Sequence, residues 1–315
     1  LVTGVQTCAL PILELLKNTW KHRALVLMAL PAVALLIMFS YIPMGGLVLA
    51  FKTFDYQLVF DSPWCGLNNF RYIFLVGDTF WRLTRNTILY YIMFTIVGTV
   101  GKVALAIGIN EFVNKRLGKL FQSCMILPTF ISYIAVSFVV YACLKANTGL
   151  VNRIIMSLGG ESINFYMEAG KWPVILLIVN TWKNIGYGSV LYLSVLTGID
   201  PALYEAADLD GANARQKMWY VTLPMLVPMI VIMTLLGLGS VMHSDTGLFY
   251  QVTRNSGAIY STTQVLDSYV LNAITNATDY SATAATTFYQ SVIGTVMVVG
   301  TNCIVRRFAP ENALF

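Results

Sequence analysis

Six apolar runs, separated by polar segments, organise the 315-residue chain. They cover residues 24–51, 87–109, 120–144, 173–199, 223–241 and 286–305. At 1.5 Å per residue, helices of about this length match a hydrocarbon core of ~30 Å. The pattern predicts an all-α fold: a polytopic membrane protein with six transmembrane helices. Pro31, Pro43 and the Gly45-Gly46 pair interrupt the first run, which a span packed beside others tolerates. That run is too long for a signal peptide, and no cleavage site stands out. Gly98, Gly101 and Gly108 in the second run mark close helix packing.

Composition sharpens this picture. The chain is 57% hydrophobic and 11% charged, with mean hydropathy +0.68, against roughly 25% charged in soluble domains. A net charge of +5 carries no nucleic-acid signal, because the basic residues are scattered and without motif context. Cys8, Cys65, Cys124, Cys143 and Cys303 form no C-x-x-C pair and no metal-ligand spacing. Cys124, Cys143 and Cys303 fall in or beside apolar runs, where thiols pack as small hydrophobes. His22 and His243 lie too far apart in sequence and topology to suggest a site. Six spans put both termini on one side. Lys17, Lys21, Arg23, Lys115, Arg116, Lys119, Arg215, Lys217, Arg306 and Arg307 fall on that side, at about twice the density of basic residues on the other. The positive-inside rule makes it cytoplasmic.

The longest polar interruption on that side is residues 200–222. Asp200 suits an N-cap and Pro201 the first helical position. A helix to Asp210 follows, and Gly211 ends it. Asp208 and Asp210 sit where the helix dipole disfavours negative charge by a few tenths of a kcal/mol. Beside the small patch of Ala206, Ala207 and Ala212, such acids suit docking into a partner's groove. An ordinary exposed loop helix is the competing reading.

Chemistry of bond making is absent from the pattern. No Asp or Glu falls inside the six runs, although proton-coupled carriers usually need intramembrane carboxylates. There is no G-x-x-x-x-G-K-[ST] loop, no H-E-x-x-H and no Ser/His pair within the runs. The fourth run is the most polar, with Asn180, Trp182, Lys183, Asn184 and Tyr187. Amides and aromatic faces of this kind bind sugars. Asn180, Asn184 and Tyr187 share a helix face with Lys183 beside it, and line a translocation path on one reading or bond helix to helix on the other. Thr287, Tyr289 and Gln290 in the sixth run are weaker candidates for the same path. Lys102 in the second run costs a few kcal/mol unless it faces a polar interior.

Glu205-Ala206-Ala207, Gly211 after three more residues, and Val221-Thr222-Leu223-Pro224 after another nine resemble the EAA motif of ABC importer membrane subunits. Val221 departs from the commoner Ile. Trp64-x-Gly66-Leu67-Asn68-Asn69-Phe70 resembles the external loop of polysaccharide-importer permeases, the LplB-type branch. Trp64 and Phe70 read equally well as interfacial anchors. The resemblance covers nearly all of residues 25–315, including the tail from Phe308. It implies a type I ABC importer (MetI-like) permease fold in a bacterial cell membrane, with both termini cytoplasmic. It further implies that Tyr204, Glu205, Ala206, Ala207, Asp208, Asp210, Gly211 and Ala212 form the segment that couples to the ATPase. The implied partners are a second, different permease subunit, a pair of cytoplasmic ATPases and an extracellular, lipid-anchored sugar-binding protein. The chain itself binds no cofactor, and ATP and Mg belong to the ATPase. A permease for another solute such as glycerol phosphate, or a secondary carrier, is the alternative. Residues 1–12 are read as a translated sequencing-library adapter that has replaced the natural start, residues 13–24 as a cytoplasmic lead, and the rest as one six-span domain with its coupling segment at 200–222.

Overall fold

The computed structural model describes residues 23–75, 78–112, 114–276 and 280–308. The expectations for residues 1–12, for most of the lead and for the C-terminal tail lie outside these. Among the described residues the chain is helical, with one isolated bridge between Lys52 and Trp64. The helices of eight residues or more are α1 (Arg23–Leu36), α2 (Asn68–Leu75), α3 (Thr79–Asn110), α4 (Lys115–Ile126), α5 (Tyr133–Leu144), α6 (Leu150–Ser157), α7 (Trp172–Thr197), α8 (Pro201–Leu209), α9 (Leu223–Leu238), α10 (Leu266–Thr275) and α11 (Tyr280–Phe308).

Five helical segments among the described residues are long and apolar enough to cross a membrane, and a sixth forms if a bent pair counts as one span. The bent pair is the third run. Residues Arg116–Phe130 and Tyr133–Leu144 meet at 97°. Pro128, which has no N–H to donate, sits in a tight 3-10 turn over Leu127–Phe130. Ser132 then opens α5 by accepting the Ala135 N–H at 3.3 Å. The third run, expected as one span over 120–144, is thus a broken helix rather than a continuous one.

Three other boundaries differ from the hydropathy pattern. α3 begins at Thr79 and α11 at Tyr280, each several residues before its apolar run. The fifth span begins at Ala214 and passes through a π turn, Met218–Thr222, into α9. Hydropathy marks only the lipid-facing stretch, whereas backbone hydrogen bonding carries each helix onward into polar surroundings. The largest correction concerns residues 243–285, expected as a long polar loop. Leu248, Phe249, Val252, Ile259, Val265 and Leu266 in it are buried. They pack with α5, α7 and Tyr90 into one apolar cluster and with α3 and α11 into a second.

The frame for the site is the contact between α3 and α7. Tyr90 clusters with Leu176 near their starts, and Val103 with Tyr192 and Leu196 near their ends. The two helices therefore run parallel, as second and fourth spans must. Glycines let them approach: a Cβ on Gly101 would fall 2.8 Å from Ile185, and one on Gly188 would fall 2.5 Å from the Lys102 stem. α1 stands apart, with none of its apolar span buried.

Candidate transport cavity and coupling segment

A cavity of about 400 Å³ opens along the α3–α7 wall. Its lining runs from Tyr90 to Lys102 on α3 and from Asn180 to Tyr192 on α7. Twelve residues of helix on each side correspond to roughly 18 Å. Thr234 on α9 and the segment His243-Ser244-Asp245 complete the wall. The lining mixes hydroxyls, amides and aromatic rings. The Tyr90 hydroxyl has no hydrogen-bond partner among the described residues. Asn184 Nδ2 donates to Asn180 Oδ1 at 3.0 Å and to the Asn180 carbonyl at 3.1 Å, which sets the two amides side by side.

The other path candidates lie elsewhere. Tyr187 is 60% exposed and Trp182 44% exposed, outside the cavity lining. The cavity face of α7 turns from Asn180 and Asn184 towards Gly188 and Tyr192. Tyr187 is just off one edge, and Trp182 points to the opposite side of the helix. Lys183 is buried. Its ammonium donates to the carbonyls of Ile131 at 2.5 Å, Thr129 at 2.8 Å and Pro128 at 3.3 Å, and lies 4.8 Å from the centre of the Tyr133 ring. Thr129 returns a bond from Oγ1 to the Lys183 carbonyl at 2.7 Å. Lys183 thus satisfies the backbone at the break in the third span. Tyr289 packs against Phe80 and Phe74, with ring centres 4.9 and 5.7 Å apart. Thr287 bonds back to the Thr283 carbonyl at 3.1 Å.

Gln290 closes a polar network beside the cavity. Its amide donates to the Met242 carbonyl at 2.7 Å and to Asp267 Oδ1 at 3.1 Å. Asp267 also accepts from the Ser244 N–H and pairs with His243 Nδ1 at 3.4 Å. The hydrogen bond to Asp267 raises the pKa of His243 against the opposing effect of partial burial. His243 and Asp245 reach the cavity through a turn that hydropathy reads as loop, so no local sequence signal marks them. Both stay exposed, and their place at the cavity depends on how residues 247–266 fold back.

The coupling candidates form a compact unit. Asp200 accepts the Ala202 N–H at 2.9 Å, as an N-cap does. Gly211 adopts φ +80°. The Ala212 N–H bonds the Ala207 carbonyl at 2.9 Å, and the Gly211 N–H bonds the Asp208 carbonyl at 3.0 Å. This is a Schellman ending, whose left-handed position favours glycine. Asp208 pairs with Lys217 Nζ at 2.7 Å and remains exposed. Glu205 and Asp210 are exposed, and Glu205 has no ion pair or hydrogen-bond partner among the described residues. Tyr204 turns inward. Its hydroxyl is 3.0 Å from Thr222 Oγ1, and its ring joins the cluster containing Val103, Tyr192, Leu196 and Leu226. Tyr192 also lines the cavity, so α8 and the cavity wall adjoin the same apolar cluster.

Residues 102–310 match the family described as "Binding-protein-dependent transport system inner membrane component". The chain belongs to this family, and is a multi-pass membrane component of a transport system rather than an enzyme. Among its relatives, Protein LplB of Bacillus subtilis (strain 168) is 30% identical over 293 residues, 93% of this chain and 91% of its own. The polygalacturonan/rhamnogalacturonan transport system permease protein YteP of the same organism is 28% identical over 302 residues, covering 95% and 92%. The crystal structure of a bacterial ABC transporter involved in the import of the acidic polysaccharide alginate superposes with TM-score 0.84 at 29% identity. The match covers 94% of this chain and 99% of that one. The same importer type in complex with an alginate pentasaccharide-bound periplasmic protein gives TM-score 0.83 at 28% identity. These matches give the type I ABC importer permease fold and leave no place for the secondary-carrier reading.

Proposed function

We propose that this chain is the permease subunit of an ATP-driven importer that passes an oligosaccharide, delivered by an external binding protein, through the α3–α7 cavity. The observation that carries the reading is the cavity itself, about 400 Å³ and lined by paired amides, threonines and tyrosines. Sugars present hydroxyls that need such donors and acceptors, and C–H faces that stack on aromatic rings. Relatives named for saccharide transport support the same substrate class.

The partners are a second permease subunit, different in sequence, a cytoplasmic ATPase pair and an extracellular sugar-binding lipoprotein. ATP and Mg act in the ATPase. The exposed Glu205 face of α8 meets the ATPase, and both termini lie on that side, in agreement with the basic-residue bias. Closure of the ATPase pair pushes α8, and Tyr204 transmits that movement to the cluster behind the cavity. The test is co-purification in detergent with the partner permease and ATPase, for the chain from Leu13 onward, with and without Glu205→Arg. The ATPase remains bound to the wild type and is lost from the variant. Retention by the variant would remove Glu205 from the docking face.

A further inference from the structure

Two charged side chains line the cavity walls near its amides, and their surroundings differ. Asp245 accepts the Gly247 N–H at 2.9 Å and the Leu248 N–H at 3.4 Å, so its charge already serves the backbone of the following turn. Lys102 has no ion pair and no hydrogen-bond partner among the described residues. An ammonium held in a partly dry wall is costly unless something answers its charge. The wall is shaped to keep its stem there. A Cβ at position 188 would fall 2.5 and 2.6 Å from Lys102 Cε and Cδ, so any other residue there would displace the stem from this position. Gly98 lies on the other side, its would-be Cβ 3.9 Å from Nζ. The neighbours offered to a ligand here, Asn184 and Tyr192 on α7 and Thr99 on α3, are neutral hydrogen-bonding groups.

We infer that Lys102 is the charge-selecting residue of the cavity, and that the carbohydrate it serves is acidic, carrying carboxylate groups that pair with this ammonium as the chain of sugars passes. The inference rests on the transport reading above and adds the substrate's charge to it. A carboxylate bound there forms a charge-assisted hydrogen bond with the otherwise unanswered cation. A neutral sugar leaves the ammonium unpaired, so the cavity discriminates by the penalty on the wrong substrate as well as by attraction to the right one. Gly188 is a positioning residue, because it holds the stem without touching the substrate.

The experiment uses the complete importer, with its ATPase and binding protein, in proteoliposomes. Probes are a tetragalacturonate and a neutral galactotetraose, with binding-protein affinity for each measured separately by calorimetry. Wild type moves the acidic probe in preference to the neutral one after correction for binding-protein affinity. Lys102→Gln lowers acidic uptake at least tenfold and raises neutral uptake, because it removes both the attraction to the one and the penalty on the other. Lys102→Arg retains most of the acidic uptake, and Gly188→Ala lowers it at an unchanged melting temperature. Equal losses for both probes would reduce Lys102 to a structural residue. Preference for the neutral probe, or acidic uptake indifferent to Lys102→Gln, would overturn the proposal. Uptake of neither probe by a complex whose ATPase is active and whose binding protein loads them would instead sink the carbohydrate reading on which it rests.

Discussion

Replacing Lys183 with methionine keeps the aliphatic stem and deletes the ammonium that closes the break in the third span. Three carbonyls lose a donor. Pro128 O keeps a second one, the Ile131 N–H at 3.2 Å, so its loss is partial. Thr129 O and Ile131 O are left without the partner that satisfied them. Hydrogen bonds to charged groups contribute about 1.5–3 kcal/mol each in mutational series, a figure that already includes desolvation. Two such losses amount to ~3–6 kcal/mol. For a chain of this size a kcal/mol corresponds to about 2 °C, so the melting temperature of the purified complex in detergent should fall by ~6–12 °C. Hydrogen exchange should localise the damage, with residues 127–135 losing protection before the α3–α7 contact does. The exposed Lys119→Met serves as control and should shift the melting temperature negligibly. A shift below ~2 °C for Lys183→Met would refute the reasoning. It would mean that burying the ammonium costs as much as its three bonds contribute.

Further outcomes follow from the same geometry. Gly186→Ala should be among the most damaging single substitutions in α7, because the new Cβ would fall 1.8 Å from the Met125 carbonyl oxygen. Overpacking of this kind costs ~1–3 kcal/mol or more, and Gly45→Ala, with open space around it, should be near neutral in the same thermal scan. Gly211→Pro cannot hold φ +80° and loses the bond to Asp208. It should uncouple ATP hydrolysis from uptake while leaving membrane insertion intact, and normal uptake by that variant would refute the assignment. The His243–Asp267 pair should give a pH-dependent contribution. The folded-state pKa of His243 is raised above 6.5, so the stabilisation is fully present below that value and is lost as pH rises through the folded value. The melting-temperature advantage of wild type over His243→Gln should therefore be largest below pH 6.5 and shrink as the pH is raised above it, and a constant gap would remove the ion pair from the account.

What the sequence determined by itself was everything that depends on local pattern. Long apolar runs must be helical where no water is present to satisfy the backbone, so the number of spans was legible. Asp200, Pro201 and Gly211 each have one strong backbone preference, so the ends of α8 could be read within a residue. Asn180 and Asn184, one helical turn apart, were legible as a pair. Their place on the cavity wall was not, because helical periodicity says which residues share a face but not what that face meets.

Tertiary structure alone decided the rest. Lys183 lies next to Asn184 in sequence, yet the broken third span claims its ammonium for three backbone carbonyls, which no spacing rule anticipates. The polar residues 243–285 conceal the apolar side chains that fill two core clusters, and folding back of that segment brings His243 and Asp245 to the cavity. Lys102 acquires its meaning only from Gly188 on a parallel helix. Such contacts join residues distant along the chain, and they depend on how helices pack, which local hydrophobicity does not specify.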